Sequence, residues 1–171
     1  MSEHEAPTGQ GAMYLRRVPE AVIAIEDPYA QDVRELLAGH LAYARAESPP
    51  EAVHALELED LAERSVTFFT CRLDGRLLGV AALRELDPHH AEIKSMHTAL
   101  PARGRGVARA MLAHLIHTAR ARGHERLSLE TGSQEAFAPA RALYIRAGFE
   151  PCDPFGSYAP SKHSVFMTRA L

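Results

Sequence analysis

The clearest chemical signal in this sequence is an arginine- and glycine-rich turn at residues 103–109, which reads RGRGVAR. A β-type run at 91–98 precedes the turn and a helical pattern follows it, so the turn leads from a strand into a helix. A helix start presents unpaired backbone N–H groups and the positive end of the helix dipole, which together attract an anion. The glycines keep Cβ atoms away from that anion, and the arginines supply donors suited to phosphate oxygens. The turn therefore predicts a phosphate-binding site.

The spacing within the turn narrows the choice of phosphate ligand. A P-loop needs four residues between its glycines and a Gly-Lys-Ser/Thr ending, and this turn has neither. The dinucleotide fingerprint needs a third small residue where Arg109 stands, within a βαβ unit. The pattern that remains is Arg-x-x-Gly-x-Ala, carried by Arg103, Gly106 and Ala108. A glycine-containing helix start with no ligand is the alternative interpretation.

Length, composition and charge exclude several classes of protein. A chain of 171 residues with 46% hydrophobic residues predicts one domain with a full core. The net charge of −3 argues against a nucleic-acid-binding surface. The sequence contains neither an apolar run long enough to span a bilayer nor an apolar signal core, so we expect a cytoplasmic protein with no membrane partner. Cys71 and Cys152 are expected to be reduced thiols.

Metal binding is not expected. His114 and His117 lie three residues apart on a predicted helix, but no carboxylate or cysteine joins them at metal-ligand spacing.

The apolar periodicity predicts the elements that position the turn. A buried strand is expected at 22–25. A helix is expected to begin at Asp27-Pro28 and to end at Ser48-Pro49-Pro50, and a weaker helix is expected at about 51–63. Asp74-Gly75 predicts a hairpin between strands 66–73 and 77–83, and a third antiparallel strand begins at Ala91. The remaining predicted elements are a helix at about 104–122, a strand at 126–131, a helix at 139–147, a strand from Phe149 and a closing strand at 165–171.

A second motif, LYIRAGF, occupies residues 143–149, after the turn at 103–109. The two motifs and the order β-α-α-β-β-β-α-β-α-β-β resemble the GNAT acyltransferase superfamily from about Ala21 to Leu171. The resemblance implies an α/β (α+β) fold with a mixed, mostly antiparallel sheet of about seven strands, helices on both faces, and strands 4 and 5 splayed apart. We expect a flexible tail at 1–19 and one N-acetyltransferase domain at 20–171. The segments 129–133, 154–156 and 164–167 look like a bacterial subgroup that acts on small molecules.

The resemblance also implies a cofactor, acetyl-CoA, and a set of residues that hold it. Backbone groups of the fourth strand would hold the pantetheine arm, and backbone N–H groups of the turn would hold the pyrophosphate. The residues expected to bind the coenzyme are Met96, His97, Thr98, Arg103, Gly104, Arg105, Gly106, Val107, Ala108, Arg109 and Tyr144.

Transfer of an acetyl group to an amine needs a base for the ammonium, a donor for the oxyanion and an acid for the leaving sulfur. Tyr144 matches the family position whose hydroxyl faces the thioester sulfur, which predicts a general acid; a core tyrosine bonded to the backbone is the alternative. Glu92 and Glu130 are the candidate bases, acting directly, through water, or by attracting a cationic substrate. Glu92 could instead pair with Lys94 at the surface.

The leading functional hypothesis is a small-molecule N-acetyltransferase in which the amine attacks the thioester directly in a ternary complex. Phe155 and Tyr158, in a proline-containing loop, are expected to line the acceptor pocket. The alternatives are an acetyltransferase acting on proteins or peptides and a non-catalytic acyl-CoA sensor. The sequence leaves the acceptor amine unidentified, and a homodimer is compatible with it.

Overall fold

The structure is a computed structural model that describes residues 20–50 and 58–171. Its elements are β1 (Val22–Ile25), α1 (Gln31–Glu47), α2 (Leu58–Leu61), β2 (Val66–Leu73), β3 (Arg76–Asp87), β4 (His90–Thr98), α3 (Val107–Ala121), β5 (Arg126–Gly132), α4 (Ala138–Arg146), β6 (Glu150–Pro151) and β7 (Ser164–Ala170). This order confirms the prediction. The first part of the predicted second helix, residues 51–57, lies outside the described residues.

All seven strands form one sheet in the order β1-β2-β3-β4-β5-β7-β6. Asp74-Gly75 closes the hairpin between β2 and β3, with positive φ angles of 51° and 77° at its two residues. Strands β2, β3 and β4 form the predicted antiparallel meander, whereas β4 and β5 run parallel. The sheet is therefore mixed and mostly antiparallel, as predicted.

Helices cover both faces of the sheet. The larger core packs α3 against one face, where Leu83 and Ile93 of the sheet meet Met111, Leu112 and the rest of the buried stripe of α3. The smaller core packs α1 and α2 against the other face. Within the described residues, no helix is long and apolar enough to cross a membrane.

The parallel pair β4–β5 separates halfway along its length. Paired residues run from His90 opposite Arg126 to Ile93 opposite Leu129, and no pairing follows. Strand β4 nevertheless continues to Thr98 and β5 to Gly132. The ends of the two strands are therefore splayed, as predicted, and a gap opens through the middle of the sheet.

A β-bulge interrupts β4 where it leaves β5. Ser95 has a positive φ of 51°, and the register against β3 shifts between Val80, which faces His97, and Ala82, which faces Lys94. The extra residue reverses the alternation of side chains along the strand. As a result Lys94 and His97, three residues apart, face the same side of the sheet as α1.

Two sequence predictions need correction. The run 22–25 was expected to be a buried strand, but β1 forms one edge of the sheet, and Val22 and Ile25 are 63% and 64% exposed. The first helix was expected to begin at Asp27-Pro28, but α1 begins at Gln31. The Asp27 carboxylate instead accepts a hydrogen bond from the Tyr29 backbone N–H at 2.9 Å, which forms a turn before the helix.

Candidate active site

The gap between β4 and β5 is the mouth of a cavity of about 630 Å³. Both layers of helices contribute to its walls, since α1 closes one side and α3 and α4 close the other. The lining includes the end of β4 from Ile93 to Thr98, Glu130 to Gly132 of β5, and the arginine–glycine turn. One cleft therefore joins the phosphate-type turn to the splayed strands.

The turn at 103–106 has the geometry of an anion site. Gly104 and Gly106 have φ angles of 72° and 88°, in the left-handed region that favours glycine, and Gly106 is the N-cap of α3. The first turn of α3 contains no acidic residue that would compete for its N–H groups. A Cβ built on Gly106 would meet only the Arg109 guanidinium, at 3.8 Å, so the backbone is open to a ligand there.

Ten of the eleven predicted coenzyme-binding residues line this cavity: Met96, His97, Thr98, Arg103, Gly104, Gly106, Val107, Ala108, Arg109 and Tyr144. The eleventh, Arg105, is exposed and is not part of the lining. The donors present suit a diphosphate, because backbone N–H groups at a helix start combine with the guanidinium groups of Arg103 and Arg109. The elongated cleft beyond them provides room for a thioester arm.

Tyr144 lies at the inner end of the cleft on α4 and is 7% exposed. Its ring packs edge-on against Phe149, with centroids 5.9 Å apart. No described residue hydrogen-bonds its hydroxyl group. Burial, with the nearby Glu130 carboxylate, raises the pKa of Tyr144 well above its ordinary value, so the phenol stays protonated. The residue can therefore donate a proton into the cleft.

The two candidate bases occupy different positions. Glu130 lines the cleft, and burial raises the pKa of its carboxyl group above the ordinary value. Glu92 is 1% exposed and lines a separate cavity of about 240 Å³ on the α1 side of the sheet. The alternative pairing of Glu92 with Lys94 is present, with the Nζ and Oε1 atoms 3.6 Å apart, but it is buried rather than at the surface.

Lys94 connects the two cavities, because it lines both of them. Its ammonium group donates to the Tyr158 hydroxyl at 2.6 Å, and that hydroxyl donates to Glu92 Oε1 at 2.5 Å. The Lys94 Nζ atom lies 3.6 Å from the same carboxylate oxygen. Burial lowers the pKa of Lys94. Sequence reasoning missed Lys94 as a site residue, although a lysine within the predicted central strand was a usable signal.

Tyr158 and Phe155 both line the second cavity, where the loop after β6 folds over the sheet. Their rings pack edge-on, with centroids 5.2 Å apart, and both contact Phe166 of β7. These ring contacts hold the loop in place, and the Tyr158 hydroxyl reaches β4 from it.

His97 and His40 form a second pair that sequence reasoning did not identify. Their Nδ1 atoms are 3.1 Å apart, and the two residues join β4 to α1 across the cleft. Burial lowers the pKa of each to about 4, and for His97 the neighbouring His40 and Arg103 add to the effect. One ring therefore donates to the other in the neutral state.

We expect protonation of this histidine pair to destabilise the fold in acid. Each folded-state pKa of about 4 lies below the ordinary 6.5, so the unfolded chain binds more protons between these values. The free energy of unfolding then falls with decreasing pH by at most about 1.4 kcal/mol per pH unit for each histidine, less where water screens these half-buried rings. Melting curves should show that His97→Gln flattens the loss of stability between pH 6.5 and pH 4. The exposed His117→Gln should not, and equal slopes for the two variants would contradict the assignment.

Known proteins resemble this chain in sequence over most of its length. The model of the Acetyltransferase (GNAT) family matches residues 30–149. The N-acetyltransferase YsnE of Bacillus subtilis, itself described as uncharacterized, is 46% identical over 87% of this chain and 99% of its own length. A protein of Azospirillum brasilense named IAA acetyltransferase is 34% identical over 90% of this chain and all of its own length.

A solved structure shares the fold. A GNAT family acetyltransferase from Elizabethkingia anophelis, determined with acetyl-CoA bound, superposes with a TM-score of 0.67 at 17% identity, covering 90% of this chain and 99% of that one. The family match, the identity to the Bacillus protein over most of both chains, and the splayed sheet agree. The chain therefore belongs to the GNAT acetyltransferase family and is an N-acetyltransferase.

Proposed function

We propose that this enzyme transfers an acetyl group from acetyl-CoA directly to the amine of a small molecule while both are bound. The observation that carries the proposal is the single cleft whose lining includes the helix start suited to an anion together with Tyr144 and Glu130. A thioester carrier whose phosphates rest on the turn would extend toward this acid and this carboxylate.

The turn and β4 supply the binding groups for the coenzyme. The N–H groups at the start of α3 and the guanidinium groups of Arg103 and Arg109 bind the diphosphate. Beyond Ile93, the edge of β4 has lost its partner β5, so its backbone groups are available to a ligand. They hold the pantetheine arm by strand-like hydrogen bonds and orient the thioester.

Glu130 is the proposed base and Tyr144 the proposed acid. The pKa of the Glu130 carboxyl group is raised toward neutral pH, and a general base is most effective when its pKa lies near the working pH. Glu130 takes a proton from the acceptor ammonium, directly or through water, and Tyr144 gives a proton to the departing thiolate. Glu92 is assigned to the second cavity rather than to proton transfer, because Tyr158 holds its carboxylate.

The second cavity favours a small acceptor over a protein chain. The loop carrying Phe155 and Tyr158 narrows the α1 side of the sheet to about 240 Å³, which suits a compact molecule. A peptide groove would need this loop to stand away from β4.

Two measurements test the proposal. Calorimetry with CoA and acetyl-CoA measures coenzyme binding, and thiol release across a panel of small amines and peptides measures transfer. We expect binding of both coenzyme forms and release that depends on a small amine. Binding without release would indicate a sensor, release with peptides alone would indicate a protein acetyltransferase, and absence of binding would overturn the proposal.

Glu130→Gln should lower kcat by about 10- to 100-fold near neutral pH, because the acceptor then loses its proton to solvent alone. The loss should shrink as pH rises, since a growing fraction of the amine is already neutral. In the wild-type enzyme, activity should rise with pH through the elevated pKa of Glu130, because the base works only as a carboxylate. The pH profile of kcat for both forms tests this. If Glu130→Gln has the wild-type pH profile of kcat, Glu130 is not the base.

A further inference from the structure

We infer that the acceptor carries a carboxylate as well as the amine, and that Arg84 binds this carboxylate in the second cavity. This inference rests on the proposed function and deepens it, since it names the chemical class of the acceptor as an amino acid or similar zwitterion.

Arg84, Glu92 and Lys94 lie on one face of the sheet. Arg84 of β3 is directly opposite Glu92 of β4, and Lys94 is two residues further along β4, next to Ala82. All three residues line the second cavity. Lys94 and Tyr158 also lie within electrostatic reach of Glu130. The two cavities therefore share one continuous set of charged side chains, which consists of Arg84, Glu92, Lys94 and Glu130.

The inner members of this set, Glu92 and Lys94, are paired with each other through the Tyr158 hydroxyl. Glu92 accepts a hydrogen bond from Tyr158, which accepts one from Lys94, so one buried negative charge is matched by one buried positive charge. Such a linked pair is stable without a ligand because each charge has a partner. Its central position leaves Arg84 at one end of the set and Glu130 at the other.

Arg84 differs from Arg72, an arginine of β2 that carboxylates hold in place. Arg72 is bound by the carboxylates of Glu26 and Asp32, at 2.9 Å and 2.6 Å. The Arg84 guanidinium makes no hydrogen bond or ion pair with any residue that the structure describes. It is half-buried beside Leu86 and the loop residue Ser157. A planar guanidinium in this position suits a carboxylate that binds through two oxygens.

The two ends of the set thus have opposite charges, as a zwitterion requires. A carboxylate on Arg84 places the rest of the acceptor along Lys94 toward Glu130, where the ammonium loses its proton and faces the thioester. Leu86 and Phe155 provide an apolar wall for a side chain. A peptide N-terminus or a simple amine would leave the guanidinium unpaired, which disfavours both.

The inference is tested with matched acceptors that differ in one group. We would measure thiol release with the amino acids, their amides and their decarboxylated amines, for example leucine, leucinamide and 3-methylbutylamine. The amide keeps the size of the acid and removes its charge. We expect kcat/KM to favour the preferred acid over its amide by about 10- to 100-fold, the value of a charge-assisted hydrogen bond in a partly dry site.

Variants of Arg84 identify the residue responsible. Arg84→Gln should raise KM for the acid by about 10- to 100-fold, change kcat little and remove the preference over the amide. Arg84→Lys should restore part of the preference, since it keeps the charge but not the planar fork. Arg120→Gln, at an exposed position in the last turn of α3, is the matched control and should behave as wild type. Because Arg84 is half-buried, melting curves should confirm that its variants fold.

The possible results separate this inference from the proposed function. Equal rates with acids and amides, transfer only to small amines that lack a carboxylate, or an Arg84→Gln variant that keeps the preference would overturn the inference alone. Failure to bind CoA, transfer only to peptides, or no release with any amine would overturn the proposed function and the inference with it. A preference for the acid that disappears in Arg84→Gln and partly returns in Arg84→Lys would establish both.

Discussion

Gly106→Glu should weaken CoA binding by at least about 100-fold. A non-glycine residue in the left-handed region costs about 1–2 kcal/mol, and Gly106 has a φ of 88°. The free variant relieves this strain by moving the turn away from its binding conformation, and CoA binding must restore it, so the cost reduces affinity. The new carboxylate also competes with the diphosphate for the N–H groups at the start of α3 and repels its charge, which removes about 1.5–3 kcal/mol of charge-assisted hydrogen bonding. The sum corresponds to a loss of about two to three orders of magnitude in affinity.

Calorimetry with CoA provides the measurement, and the other end of the same helix provides the control. Gly123 follows α3 with a φ of 86° and has nothing within 4 Å of a built Cβ. Gly123→Glu therefore imposes the same backbone strain and charge far from the cleft, and it should lower stability while it leaves CoA affinity unchanged. Gly106→Ala separates strain from charge and should give a smaller loss. Wild-type affinity in Gly106→Glu would place the diphosphate elsewhere.

The arginine–glycine turn before α3 could be predicted because every part of it is local. Two glycines and three arginines lie within seven residues at the start of a helical pattern, and the backbone geometry of a helix start suits an anion. The hairpin at Asp74-Gly75 was predictable for the same reason. Arg105 shows the limit of such reasoning, because only the path of the turn decides which of three neighbouring arginines faces the cleft.

The placement of short strands and helix starts depended on distant parts of the chain. A four-residue apolar run such as 22–25 predicts a strand but not its position in the sheet, and β1 lies at an edge. Asp27 illustrates a local competition. Its side chain can cap a helix or close a turn, and here it closes a turn, so that α1 begins only at Gln31.

The arrangement of side chains around the cleft could not be predicted from local sequence patterns, because it depends on residues far apart in the chain. Tyr158 reaches Glu92 across 66 residues of sequence, and His97 meets His40 across 57. The bulge at Ser95 adds a second difficulty, because it turns His97 toward α1, whereas strict alternation would place it on the opposite face from Lys94. Local patterns do not reveal this bulge, so the sequence could not show that His97 lies on the same face of the sheet as Lys94.

Glu92 and Glu130 lie in different cavities, although they seemed equivalent in sequence. Glu92 is bound to Tyr158 in the second cavity, whereas Glu130 lines the cleft between β4 and β5. The strand splay causes this difference, since β5 leaves β4 after Leu129 and Glu130 is the next residue. The same loss of pairing leaves the edge of β4 beyond Ile93 without a strand partner. One local change in the sheet therefore frees this edge and places the proposed base beside it.

Tyr144→Phe should lower kcat by about 100- to 1000-fold and leave CoA affinity close to wild type. Removal of a positioned general acid typically costs about two to four orders of magnitude in rate. The ring remains in place because it packs on Phe149 and within the main core, and no described residue loses a hydrogen bond when the hydroxyl is removed. Steady-state kinetics and calorimetry measure the two effects separately. Tyr29→Phe, at a position 46% exposed, is the control and should keep the wild-type kcat.

The leaving group gives a sharper form of the same test. If Tyr144 protonates the departing sulfur, its removal matters less when the thiol is more acidic, because that thiolate leaves without help. An acetyl thioester of an acidic thiol, kept on the CoA scaffold so that the phosphates still bind, should therefore reduce the Tyr144→Phe defect by at least about tenfold. A defect of the same size with both donors would show that the hydroxyl positions the thioester rather than protonating it. Normal turnover in Tyr144→Phe would remove both roles.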